Sequence, residues 1–135
     1  MALDLNPKIL LLPFLLWASI AVAHPTPCEG VEEVQPPPQA KRLGHIASVQ
    51  LKMPNVKVTK TFRFRGWEIV LAEPEEADSA YLFYAGTPSP ANYRAFWAGA
   101  AGPNDQGEIL AWVKTAVRGI PIRLSQCFSF RVTHP

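Results

Sequence analysis

Histidines are the first residues to examine for chemistry, because histidine is the usual base or metal ligand at neutral pH. The chain has three, His24, His45 and His134. None lies in a recognisable catalytic motif, and a Ser-His-Asp site would have to be assembled by the fold. The sequence therefore assigns no catalytic residue.

His24 raises a separate question about copper. If the chain is cut after Ala23, His24 becomes the N-terminus, and an N-terminal histidine can bind copper through its amine and ring nitrogen. The chain is similar to the secreted copper monooxygenases in that one feature. His45 and His134 have no motif around them, so we expect no metal site and no cofactor.

Carboxylates are the second chemical group to consider, since two of them can run glycoside hydrolysis. The acids cluster at 29–33 and 73–78, in segments that are typical of solvated loops. Glu68 lies in a predicted strand, where alternation places it on the outside. We therefore interpret the acids as surface residues.

An export signal is predicted at the N-terminus. Residues 9–23 are uncharged and mostly apolar, and they end in Ala21-Val22-Ala23, the small-x-small pattern of a signal peptidase site. The apolar run is shorter than the ~20 residues of a membrane-spanning helix, although a retained anchor is the alternative. We predict a cleaved signal peptide at 1–23 and a periplasmic or secreted protein.

Two cysteines, Cys28 and Cys127, remain after that cut. In an oxidising compartment an even number of cysteines usually means pairing, so we predict a disulfide between them; two free buried thiols are the alternative. Neither a CxxC motif nor a third cysteine is present, which argues against thiol redox catalysis and cysteine-bound zinc.

Length and charge limit the class of protein. The chain after the cut is the length of one domain. With 13 basic and 11 acidic residues the net charge is +2, too near neutral to indicate nucleic acid as a partner. We expect a monomer without a membrane span after signal cleavage.

A surface arm and a β-hairpin are predicted in the first half of the exported chain. Residues 24–44 contain a run of prolines and form a surface arm, and 45–135 form a single domain. Residues 46–53 and 56–65 both alternate apolar and polar side chains, which predicts a β-hairpin with one wet face.

The second half completes the predicted fold. Residues 67–72 and 80–85 are interpreted as strands, 89–98 fit a helix or a strand equally, and 105–118 form a helix with a capping box from Asp105 to Glu108. Residues 122–133 alternate like a long final strand, which places Cys127 away from the apolar stripe. The sequence predicts an α+β fold, with an antiparallel sheet of about five strands and one main helix on its apolar face.

The predicted hairpin carries the candidate partner-binding residues. In its register Lys52 lies opposite Lys57, and Arg63 and Arg65 continue the same face, so like charges repel. We expect the acidic loop 73–78 to fold over this basic ridge. An open ridge that binds an acidic partner is the alternative.

The leading functional hypothesis is a small exported binding protein without catalysis, such as an inhibitor or an envelope accessory factor. Its partner would be a protein or an anionic ligand. The rival hypothesis is a small exported hydrolase, or a copper protein that uses His24.

Overall fold

The structure, a computed structural model, describes residues 18–22 and 25–135. It is an α+β fold with a five-stranded antiparallel sheet in the order β1 to β5. Most of the predicted signal peptide 1–23 lies outside the described residues, and so does His24, the copper ligand of the rival hypothesis. Within the described residues, no helix combines the length and the apolar character that crossing a membrane requires.

Five strands and three α-helices make up the described chain. The strands are β1 (Glu32–Val34), β2 (Lys57–Phe64), β3 (Trp67–Glu73), β4 (Ala80–Tyr84) and β5 (Tyr93–Ala98), and the helices are α1 (Ala40–Leu51), α2 (Gln106–Ala116) and α3 (Ile122–Thr133). Neighbouring strands follow one another along the chain; α1 lies in the connection from β1 to β2, and the later pairs are joined without an α-helix between them.

The first strand of the predicted hairpin is wrong. Residues 46–53 lie almost entirely in α1 and its C-terminal cap, and Val49 is exposed. The alternation over 46–53 coexists with a helical pattern. Leu43 and Ala47 are four residues apart, and both are buried on one face of α1. The place beside β2 is taken instead by β1, from the predicted arm.

The final strand is also wrong, because residues 122–133 form α3. Leu124 and Phe128 are buried four residues apart, and Cys127 shares their face of the helix. The disulfide between Cys28 and Cys127 is present, as predicted. Cys127 away from the apolar stripe of a final strand would have tied the arm to the outer face of the sheet. The disulfide instead joins the turn before β1 to a buried helix face.

The remaining segments follow the sequence more closely. β3, β4 and α2 lie where strands and a helix were predicted, and 89–98 begins with a 3₁₀ turn and continues as β5. The capping box differs from the prediction: the Asp105 carboxylate accepts a hydrogen bond from the backbone N–H of Gly102, at 2.8 Å.

Helices pack on both faces of the sheet. α2 and α3 pack on one face, where Phe62, Ile69 and Phe83 meet Val113 and Phe128. α1 packs on the other face over β2 and β3, and a second core forms there, while Phe96 in β5 remains 51% exposed on that face. The second core contains Leu43, Ala47, Val56, Val58, Val70, Ala72, Leu82 and Tyr84.

A β-bulge in β2 changes which of its side chains face each core. The register with β3 shifts between Val58 and Lys60, which leaves Thr59 as the extra residue. Val58 therefore faces α1, whereas Phe62 faces α2 and α3. Unbroken alternation over 56–65, as the sequence predicts, would place Val58 and Phe62 on one face, and the bulge is the reason that this prediction is wrong.

Candidate functional site

A groove runs between α1 and the first half of β2. α1 approaches the strand closely at Gly44, where an added Cβ atom would lie 2.7 Å from the carbonyl oxygen of Val56. The groove beside this contact has a volume of about 700 Å³. Its lining residues are Gln35, Pro36, Ala40, Lys41, Gly44, His45, Ser48, Asn55, Val56, Lys57, Val58 and Thr59.

The groove is basic at its rim and apolar at its floor. Lys41, His45 and Lys57 line it, and no carboxylate does. Across residues 25–135, neither lysine forms an ion pair with an acid. The groove therefore presents two lysines without an ion pair inside 4 Å, although Lys57 faces Glu73 across the β2–β3 register.

The predicted basic ridge is not formed as one surface. Lys57 lines the groove, whereas Arg63 lies about 20 Å further along β2 at ~3.3 Å per residue. Lys52 ends α1 in a left-handed conformation with φ of 55°, and it lines a different depression beside Phe96. The predicted pairing of Lys52 with Lys57 is wrong, because 46–53 belongs to a helix.

Arg63 and Arg65 line another depression, of about 710 Å³, at the β2–β3 turn. Glu32 and Glu68 line it too, and Arg63 Nε lies 3.2 Å from Glu68 Oε1. This depression has the volume of the α1–β2 groove but mixed charge. Partner binding by Arg63 or Arg65 stays a prediction.

The acidic loop does not cover the basic side chains. No carboxylate from the loop 73–78 lies within ion-pair distance of Lys52, Lys57, Arg63 or Arg65 in the described structure. Glu75 instead accepts a hydrogen bond from the Asn55 side-chain amide, at 3.1 Å. The expected neutralisation by this loop is therefore wrong.

Glu68 is buried, with 7% of its surface exposed, and the prediction that it points outward is wrong. The sheet face on which the Glu68 side chain lies is covered, so this side chain does not reach solvent. Its register partner is Tyr84. Burial, together with the nearby Tyr93 and Glu68, raises the pKa of Tyr84 to about 12. The raised pKa keeps the Tyr84 hydroxyl protonated at physiological pH.

Glu33 lies close to the disulfide. A carboxylate oxygen of Glu33 and the sulfurs of Cys28 and Cys127 fall within 4.8 Å of one another. Both sulfurs are committed to the disulfide, so neither is a thiolate that could hold a metal. Glu33 is instead held by Arg131 and Lys60, at 2.8 Å and 3.2 Å.

The two described histidines lie in different surroundings. His45 lines the α1–β2 groove, which has no carboxylate. His134 stacks on Phe130, with ring centroids 4.7 Å apart, and its Nδ1 lies 3.1 Å from the Phe130 carbonyl oxygen. Within the described residues, these two histidines do not converge with acids in one cavity.

Sequence reasoning missed Lys41 and His45 as site residues, because it placed Lys41 in the arm and started a strand after His45. The signal that would have found them is helical spacing. Lys41, His45 and Ser48 follow one another by four and three residues, which places them on one face of a helix.

Comparison with known proteins finds no matching family, no matching curated protein and no matching solved structure. Function therefore has to be inferred from the chemistry of the site.

Proposed function

We propose that this protein is a small exported binding protein, and that the groove between α1 and β2 receives an acidic partner. The observation that carries the proposal is the presence of Lys41 and Lys57, neither in an ion pair within the described chain, in one groove that no carboxylate lines. Unpaired basic groups around a concave site attract carboxylates and raise the rate of association with an acidic partner.

The size and the floor of the groove support a specific ligand. Its volume of about 700 Å³ is within the usual range of ligand sites, ~300–1,000 Å³. Ala40, Gly44, Val56 and Val58 give it an apolar floor. A ligand that combines apolar groups with carboxylates fits this lining better than a highly charged polymer such as nucleic acid.

Export is part of the same proposal. The apolar segment 9–23 with its Ala21-Val22-Ala23 end supports a cleaved signal peptide. The disulfide between Cys28 and Cys127 is compatible with an oxidising compartment. We infer a monomeric protein in the periplasm or outside the cell.

Charge reversal in the groove tests the binding proposal. The probe is a library of hexapeptides with glutamate at alternate positions and Val, Ile, Phe or Tyr between them. We expect the double variant Lys41→Glu/Lys57→Glu to weaken binding about tenfold or more, and to weaken its salt dependence. Fluorescence anisotropy at two salt concentrations measures both effects.

The matched control for total charge is Lys114→Glu/Arg118→Glu, at exposed positions at and beyond the C-terminal end of α2. It changes the net charge equally but leaves the groove intact, so binding should change about twofold at most. Equal losses in the two double variants would assign the binding to net charge and contradict the proposed site. Absence of binding to the whole library would contradict the function itself.

Intact mass of the exported protein tests the cleavage. We expect a chain that begins at His24, because signal peptidase cuts after a small-x-small sequence. A chain that still begins at Met1, or a lipid on Cys28, would contradict the prediction.

A further inference from the structure

The first half of β2 forms part of the edge of the sheet. β1 pairs with Thr61, Phe62 and Arg63 alone. In the described structure no strand lies beside Lys57–Lys60 on the side away from β3, and no loop backbone bonds to this stretch. The outward N–H and C=O groups of these residues are therefore available to another chain.

The chain itself leaves this place empty for a local reason. β1 ends at Val34, and the next residues, Gln35 and Pro36, lead away to α1. Proline has no N–H and cannot continue a ladder of hydrogen bonds. The groove lies where an extension of β1 would run, since Gln35 and Pro36 border it at one end and β2 borders it along its length.

We propose that the acidic partner binds in this groove as an added antiparallel strand, hydrogen-bonded to the Lys57–Lys60 edge and covered by α1. This inference rests on the function proposed above and specifies its mode. The occupant is an extended acidic segment of another protein, with alternating apolar and acidic side chains. Backbone hydrogen bonds supply affinity in this mode of recognition, and pockets for alternate side chains supply specificity.

Side-chain alternation explains the choice of occupant. In an added strand every second side chain would point to the side of α1, where Val56, Val58 and Gly44 form an apolar floor. The free edge is four residues long, about 13 Å at ~3.3 Å per residue, so a short segment fills it.

Charge argues against a second copy of this chain as the occupant. Edge-to-edge pairing of β2 with itself would bring Lys57 and Lys60 of one copy close to the same residues of the other. Like charges in facing positions destabilise a strand pair, whereas opposite charges stabilise it. Lys60 is already paired with Glu33, so the exposed Lys57 is the edge charge that favours an acidic strand over a second copy.

Backbone methylation of the same hexapeptide library tests the added strand. One version carries N-methyl groups on the apolar positions, and the other carries them on the glutamates. In a β-strand alternate N–H groups point to opposite sides, so one version loses the donors that face β2 and the other keeps them. We expect one version to bind about tenfold or more weakly, and the other to lose about threefold at most.

Hydrogen exchange of the unmodified protein supplies the second measurement. The outward amides within Lys57–Lys60 should exchange about tenfold more slowly when the unmethylated library is bound, with no change in the paired half of the strand, Thr61–Arg63.

The outcomes separate the two proposals. Equal affinity for both methylated versions, with no added protection at Lys57–Lys60, would overturn strand addition, while loss of binding in Lys41→Glu/Lys57→Glu would still support the basic groove. Protection of these amides that grows with protein concentration in the absence of peptide would assign the edge to a second copy and overturn the peptide occupant. Failure of every library to bind would overturn both proposals.

Discussion

At the scale of single residues, Glu33 shows how a partly buried acid is held in its charged form. It accepts hydrogen bonds from Arg131 at 2.8 and 3.1 Å, and Lys60 lies 3.2 Å away. Burial by itself would raise the pKa of Glu33, but the hydrogen bonds from Arg131 and Lys60 outweigh it and hold the pKa below the usual 4.5. A carboxyl group with a lowered pKa stabilises the fold in its ionised state.

Glu33→Gln should therefore lower the free energy of unfolding at pH 7 by about 1–2 kcal/mol. The contribution of Glu33 is complete above the pKa of the unfolded chain, near 4.5, and is lost as the pH falls through the lower pKa of the folded protein. The difference between the variant and the native protein should shrink over that interval. Urea denaturation at a series of pH values from 7 downward measures it.

Glu29→Gln is the matched control, because Glu29 is exposed and its carboxylate forms no ion pair within residues 25–135. Its effect should stay within about 0.5 kcal/mol at each pH. A pH-independent difference between Glu33→Gln and the native protein would contradict the assigned role.

At the scale of elements, α1 and β2 form the groove, and they meet closely at one end of their contact. α1 has a glycine, Gly44, where it meets the backbone of β2, and glycine is otherwise an unfavourable residue inside a helix. The contact is with the Val56 carbonyl, which is backbone and cannot rotate away as a flexible side chain would. The close approach of α1 to β2 beside the groove thus depends on the absence of one Cβ atom.

Gly44→Ala should destabilise the protein by about 1–3 kcal/mol, because the added methyl group overpacks the contact and pushes α1 from the strand. Gly107→Ala is the matched control: Gly107 lies in α2 with no atom within 4 Å of an added Cβ. There, alanine should stabilise the protein by up to about 1 kcal/mol through helix propensity. Thermal and urea denaturation compare the two variants, and a stabilising Gly44→Ala would show that the contact is not tight.

At the scale of the whole molecule, the disulfide joins the start of the domain to its last helix. The two cysteines are 99 residues apart in the sequence, so the bridge closes nearly all of the folded chain in one loop. Cross-linking so long a loop restricts the unfolded state more than a short one does.

Replacing both cysteines, Cys28→Ser/Cys127→Ser, should lower the free energy of unfolding by about 2–4 kcal/mol. Urea denaturation of the oxidised protein and of the variant measures the loss. Reducing agent should destabilise the native protein and leave the variant unchanged. Two alkylatable thiols in the native, unreduced protein would contradict the bridge.

The sequence by itself determined the elements whose local signals agree with their packing. Residues 80–85 are a continuous apolar run and form a strand buried on both faces, and the 105–118 segment has a helical apolar stripe that ends at Gly119. The count of two cysteines was enough for the disulfide, because the bridge depends on chemistry more than on the exact fold. The α+β class followed from these signals. The number of strands agrees with the prediction although 46–53 and 122–133 are helical and β1 comes from the predicted arm.

Only the tertiary structure decided which segments supply the first strand and which become α1 and α3. Residues 46–53 and 122–133 alternate apolar and polar side chains, yet both also place apolar side chains four residues apart, and packing against the sheet selects the helix. That choice places helices on both sheet faces, buries Glu68 and separates Lys52 from Lys57. It also brings Lys41 and His45 to the edge of β2. The candidate site could not be predicted from sequence alone, because it exists only where a helix and a strand from separate segments meet.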